Sequence, residues 1–176
     1  IEAYNSAGVS TVVVSCADGL SHLKLLYPKL NMKMNFEVVH LVEYLDRLSK
    51  EGRIEFAREV PMKVTYHDPC HLGRYAGIYD APRDLLGRIP GIKLVEMERS
   101  REHSWCCGAG GGVKQAYPEL SLWTAEERIK EAKATGATAL VTACPWCEKN
   151  FKEATKEYGE DIEVYDVAEI VARAVR

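Results

Sequence analysis

At 176 residues and 47% hydrophobic, the chain is long enough to bury one ordinary core without disulfide staples. Its 23 basic and 26 acidic residues are mixed along the chain and leave a net charge of −3, which gives no electrostatic case for binding nucleic acid or an anionic membrane. No run approaches the roughly 18 apolar residues that a membrane span needs, and no basic-then-apolar leader opens the chain, so it reads as soluble and cytoplasmic.

Ile1 to Ala7 reads as the end of a helix that begins earlier, which makes the chain a fragment or a cropped subunit by expectation. Gly8 follows as a C-cap, and Ser10 to Ser15 is a short β-branched run of the kind that forms a buried parallel strand. Cys16 comes directly after it. Leu20, Leu23, Leu26 and Tyr27 keep helical spacing up to Pro28, Phe36 to Val39 is a strand, and His40 to Leu48 returns to helix. The charged stretch Ser49 to Pro61 is the one internal boundary the sequence suggests.

Beyond it, Lys63 to His67 is a strand that feeds the loop Asp68-Pro69-Cys70-His71-Leu72-Gly73. Asp80 reads as an N-cap with Pro82 in the first turn of a helix that Pro90-Gly91 closes. Ile92 to Met97 is a strand, followed by a charged loop into Ser104-Trp105-Cys106-Cys107-Gly108-Ala109-Gly110-Gly111-Gly112. Leu120, Trp123, Ile129 and Ala132 carry a helix to Gly136, with Trp123 expected in the core. Thr138 to Thr142 is the next strand, and Cys144-Pro145-Trp146-Cys147 follows at once. A helix through Phe151 and Ala154 stops near Gly159, Ile162 to Tyr165 is a strand, and Asp166 with Glu169 opens the last helix as a capping box.

Strand, loop and helix therefore alternate, which predicts an α/β fold of parallel-sheet βα units with helices on both faces. Gly8 to Cys16 matches Gly136 to Cys144 in pattern, and Phe36-Glu37-Val38 with Glu43 matches Ile162-Glu163-Val164 with Glu169. Residues 1–60 thus read as the tail of one degenerate unit and residues 61–176 as a complete one. Gly19 stands where the earlier unit would carry the counterpart of Cys147, so that half-site lacks a ligand and Cys16 reads as a relic.

Six cysteines, five of them from Cys70 onward, look more like metal ligands in a reducing compartment than like a cross-linked secreted scaffold. The spacing is C-x35-C-C-G-x35-C-x2-C. Each of the three cysteine groups falls in a loop after the carboxyl end of a strand, the edge where open α/β sheets place ligands. Adjacent cysteines pair poorly with each other, but two neighbouring thiolates can bind different metal atoms of one core. Gly108, Gly110, Gly111 and Gly112 can take positive φ and bring backbone N–H groups up to a negatively charged cluster. Inert buried thiols and zinc are the rival readings; a structural zinc takes four ligands and leaves a fifth thiol over. His67, His71 and His103 flank these cysteines as candidate proton donors, and Trp105 and Trp146 as shields against water. Arg74, Arg99 and Arg101 are candidate anchors for an anionic substrate.

Tyr66-His67-Asp68-Pro69-Cys70-His71-Leu72-Gly73-Arg74, Trp105-Cys106-Cys107-Gly108-Ala109-Gly110-Gly111-Gly112 and Thr142-Ala143-Cys144-Pro145-Trp146-Cys147 together resemble the cysteine-rich CCG domain. That domain is found in heterodisulfide reductases and in iron–sulfur subunits of glycolate, lactate, glycerol-3-phosphate and some succinate oxidoreductases. The wording is most similar to the D-type subunit of heterodisulfide reductase. The resemblance implies a non-cubane [4Fe-4S] centre on Cys70, Cys106, Cys107, Cys144 and Cys147, at which a disulfide such as that of coenzyme M and coenzyme B is cleaved. No ferredoxin-type C-x2-C-x2-C-x3-C is present, so electrons are expected from a missing N-terminal segment or from a ferredoxin-like, flavin or haem partner subunit, through which the protein could also associate with a membrane. The alternatives are an electron-transfer subunit of a flavin-dependent 2-hydroxy acid or related dehydrogenase, and a zinc-stabilised interaction domain.

Overall fold

The computed structural model describes residues 1–175, which form two parallel sheets with helices packed on them. The chain begins with α1 (Glu2–Ser6), β1 (Thr11–Val14), α2 (Ala17–Ser21), β2 (Glu37–His40) and α3 (Leu41–Lys50). It continues through β3 (Met62–Tyr66), α4 (Asp80–Arg88), β4 (Ile92–Val95), α5 (Val113–Ala116), α6 (Pro118–Ala134), β5 (Ala139–Thr142), α7 (Pro145–Tyr158), β6 (Glu163–Asp166) and α8 (Val167–Ala174).

Strands β1 and β2 pair in parallel as a sheet of their own, and the larger sheet has the order β4-β3-β5-β6, all parallel. The chain leaves β3 for β4 on one side and returns to β5 on the other. The crevice between the ends of β3 and β5 is therefore the point where the winding reverses, and such a point opens a ligand site. Strand β5 is buried at all four residues, as a central parallel strand covered on both faces should be. Val64, Leu85, Leu86, Ile129, Leu140, Phe151 and Ile170 close the core between sheet and helices.

Two capping boxes start helices at the ends of matching strands. His40 accepts from the Val42 N–H while Glu43 accepts from the His40 N–H, and Asp166 and Glu169 do the same at α8. Helix α7 stops at Gly159, whose φ of +64° places it in the left-handed region that ends helices. The stretch 51–61 is tied to the end of α8 by a Phe56–Val175 bridge and an Arg58 N–H bond to the Ala174 carbonyl.

Some expectations needed correction. Asp80 is the first helical residue of α4 rather than its cap, and its carboxylate pairs with Arg101 Nη1 at 2.8 Å. The helix expected up to Pro28 is α2 followed by a π turn over His22–Leu26 and a 3-10 turn over Tyr27–Leu30, the latter accommodating the proline near its start. Trp123 is 54% exposed; the face that α6 buries carries Ser121, Ala125, Arg128, Ile129 and Ala132, and Trp123 lies off it.

Candidate metal centre

Each cysteine group sits where a strand hands over to the next element. Cys70 follows β3 and precedes a π turn over His71–Tyr75, Cys106 and Cys107 lie in the loop after β4, and Cys144 is the N-cap of α7 with Cys147 in its first turn. The sulfurs form a continuous string. Cys70 lies close enough to Cys106, Cys106 to Cys107, Cys107 to Cys147, and Cys147 to Cys144 for each thiol to perturb the next. All five line one cavity of about 280 Å³, whose wall also includes Ala17, Asp18, Pro69, His71 and Trp146.

The string perturbs its own members. Donation from Cys107 and Cys70 draws Cys106 down to about 2, and donation from Cys147 and Cys16 draws Cys144 down to about 2. Cys107, which keeps its proton and directs it at Cys106, is pushed up to about 12. Hydrogen bonding to neighbouring sulfurs and then burial raise Cys70 and Cys147 in the same sense. Thiols so close cannot all ionise unless something positive sits among them, and a metal core supplies that charge as it releases the protons.

The surrounding structure favours such an occupant. The Gly108 N–H points to Cys106 Sγ at 3.3 Å, and the positive end of α7 faces Cys144 and Cys147. Gly108, Gly111 and Gly112 take positive φ, whereas Gly110 does not. A Cβ on Gly108 would lie 2.5 Å from the Ser121 carbonyl oxygen, so this loop packs on α6 in a way only glycine allows. The five thiols exceed what one tetrahedral ion uses, and they fit a multi-atom cluster.

Residues that the motifs did not single out hold these loops. Asn150, fully buried on α7, donates to the carbonyls of Cys107 at 2.6 Å and Ser121 at 3.1 Å, while its Oδ1 accepts from Lys114 and Ser121. Arg83 grips Asp68 through two bonds of 2.7 and 2.9 Å and Glu96 through two more of 2.6 and 3.0 Å. Asp68 in turn accepts from the Arg101 N–H at 2.8 Å, joining the Cys70 loop to the segment that leads to Cys106. A buried arginine or asparagine leaves no periodic trace, so only its odd polarity on an apolar helix face could have marked it.

The three histidines fare differently. His67 is buried, and desolvation followed by the charge of Arg128 lowers it to about 3, so it is neutral. His71 lines the cavity and contacts Asp18 Oδ1 at 2.9 Å and Ser21 Oγ at 2.7 Å. His103 projects outward beside Glu102 and does not line the cavity. The three arginines are all engaged: Arg74 with the Glu102 and Ser104 carbonyls, Arg99 with Glu131 and the Trp105 ring, and Arg101 with Asp80. Trp105 and Trp146 are each nearly half exposed, with Trp146 on the cavity wall. Cys16, read as a relic, does not line the cavity but lies close enough to Cys144 for the two thiols to perturb each other.

Residues 64–152 match the sequence family described as CCG, the cysteine-rich domain. The D-type subunit of the dihydromethanophenazine:CoB–CoM heterodisulfide reductase of Methanosarcina mazei is 44% identical over 99% of this chain and 43% of the relative. The EtfAB:quinone oxidoreductase of Syntrophomonas wolfei is 35% identical over 99% of this chain and 25% of its own length. The B-type subunit of the fumarate reductase (CoM/CoB) of Methanothermobacter marburgensis is 35% identical over 95% of this chain and 33% of its own. The chain thus spans less than half the length of these relatives.

Proposed function

The chain belongs to the CCG family of cysteine-rich domains, and on that premise we propose that it is the cluster-bearing part of an iron–sulfur oxidoreductase subunit of the heterodisulfide reductase kind. In this reading Cys70, Cys106, Cys107, Cys144 and Cys147 hold a non-cubane [4Fe-4S] centre, and a disulfide is reduced beside it. The observation that supports it is the string of thiols, gathered from three strand ends onto one cavity. Relatives named as heterodisulfide reductase, quinone oxidoreductase and fumarate reductase proteins support the redox class.

When bound, the centre supplies one-electron chemistry at thiophilic iron. The chain's own residues do the rest. Reduction takes two electrons and two protons and converts RS–SR′ to RSH and R′SH. The electrons come from a segment of the protein outside this chain or from a ferredoxin-like, flavin or haem partner subunit. A proton reaches one departing thiolate through His71, which Asp18 and Ser21 hold against the cavity wall. Ala17, Asp18 and Trp146 shape the space that admits the disulfide. No helix among the described residues is long and apolar enough to cross a membrane.

A second reading, in which the centre only relays electrons, draws support from the quinone- and fumarate-linked names among the relatives. Anaerobically prepared full-length subunit tests both. Iron and acid-labile sulfide in equal amounts, together with thiol release from a heterodisulfide supplied with reduced viologen dye, are expected. Zinc without sulfide sinks the cluster. Iron and sulfide without thiol release, and with an EPR spectrum unmoved by candidate thiols, leave the relay reading in its place.

A further inference from the structure

Among the described residues, the His67 ring is 1% exposed, and its Nε2 has no hydrogen-bond partner within the protein. Leaving a polar atom unpaired at such depth is costly, so it is expected to meet a partner in the functional state. The other ring nitrogen, Nδ1, faces Arg128 Nε at 3.3 Å. A guanidinium only donates, so Nδ1 must be the lone-pair nitrogen and the hydrogen must sit on Nε2. Arg128 cannot easily turn away: it is fully buried, and its remaining nitrogens bind Glu131 Oε2 at 2.6 Å and Ser104 Oγ at 3.2 Å. Phe151 stands edge-on to the imidazole at 4.8 Å between centroids and restricts its tilt. A ring nitrogen of His67 and the sulfurs of Cys107 and Cys147 all lie within 4.8 Å of one another.

We propose that Arg128 locks His67 in the Nε2–H form so that this N–H donates to the Cys107 and Cys147 sulfurs and sets the reduction potential of the centre they hold. His67 is then a positioning and tuning residue that neither gives up its proton nor binds iron. The proposal rests on the cluster reading above. An N–H bond to a thiolate gains strength as electrons accumulate on the cluster, so it stabilises the reduced form and raises the potential. Neither Cys107 nor Cys147 then needs a solvent molecule at its inner side, which the burial of both agrees with.

The test uses the full-length subunit in two states. In metal-free protein labelled with nitrogen-15 histidine, NMR should find His67 as the neutral Nε2–H tautomer; the Nδ1–H tautomer or an imidazolium overturns the proposal even if no variant folds. In cluster-loaded protein, EPR-monitored redox titration should show His67→Leu shifted to lower potential by about tenfold in the reduction equilibrium, equal to about 59 mV for a one-electron couple. His67→Gln, which restores an N–H near the same place, should recover part of the shift. An unchanged potential at full iron and sulfide content overturns the proposal, as does loss of iron in His67→Leu that His67→Gln does not restore, since that marks a ligand. Wild-type protein that takes up no sulfide defeats the cluster reading instead, while the tautomer result stands by itself.

Discussion

Arg83→Leu is expected to loosen the site more than its distance from the sulfurs suggests. Arg83 and Asp68 are 8% and 2% exposed at their side chains, so the bidentate pair is out of water. Removing the guanidinium strands a buried carboxylate that keeps only the Arg101 N–H, and it also cuts loose Glu96 and the Tyr79 carbonyl. Breaking one side of such a pair costs about 3–5 kcal/mol, whereas replacing both sides with neutral groups is far milder. Urea unfolding of metal-free protein should therefore show a loss of about 3–5 kcal/mol for Arg83→Leu, and Arg83→Leu with Asp68→Asn should regain about half of it. Because Asp68 ties the Cys70 loop to the segment before Cys106, iron retained per chain after gel filtration should fall in the single variant. A double variant no more stable than the single one, or a single variant within about 1 kcal/mol of wild type, would refute the reasoning.

Gly108→Ala should destabilise by about 2–3 kcal/mol, from the left-handed φ and the contact with Ser121, whereas Gly110→Ala, with open space around it and no positive φ, should stay within about 0.5 kcal/mol; thermal unfolding of both separates loop geometry from glycine content. Asp166 is raised to about 6 by burial, with Glu148, Glu169 and Cys144 adding repulsion. The folded chain then holds a proton that the unfolded chain lacks between about pH 4 and 6, so stability falls as pH rises through that window. Asp166→Asn keeps the acceptor for the Ala168 N–H and should be more stable than wild type by about 1–2 kcal/mol at pH 7, with the difference gone near pH 4; parallel denaturation profiles would contradict this. Cys16→Ser should leave iron and sulfide per chain unchanged, while Cys70→Ser should lower both, as colorimetric assay of reconstituted protein will show.

Periodic features of the fold were legible in the sequence. The β-branched and apolar runs marked the six strands to within a residue or two, and Asp166 with Glu169 announced their capping box. The cysteine spacing implied a common sheet edge because residues after parallel strands share one end by geometry. Other features depend on partners far away in sequence, and these were not legible. Nothing local tells that Arg128 is buried beside His67, that Asn150 holds the Cys107 carbonyl, or that Arg74 and Arg101 are taken up by the chain itself. Trp123 misled because a large aromatic suggests core, while α6 buries alanine, serine and arginine where close approach leaves little room. The π turns after Ser21 and Cys70 were likewise invisible, since an extra residue per turn keeps the same composition.

The cavity wall has two owners. Its sulfurs come from the loops after β3 and β4 and from the start of α7 after β5, but Ala17 and Asp18 reach it from α2, at the end of the separate sheet of β1 and β2. Part of the pocket's shape is thus written on a stretch of chain that carries none of the five thiols. Substitution at Ala17 or Asp18 can reshape the entrance or alter its charge without moving a thiol from its strand end. Under the proposed function, the entrance can then change at α2 while the thiols keep their places beside the larger sheet.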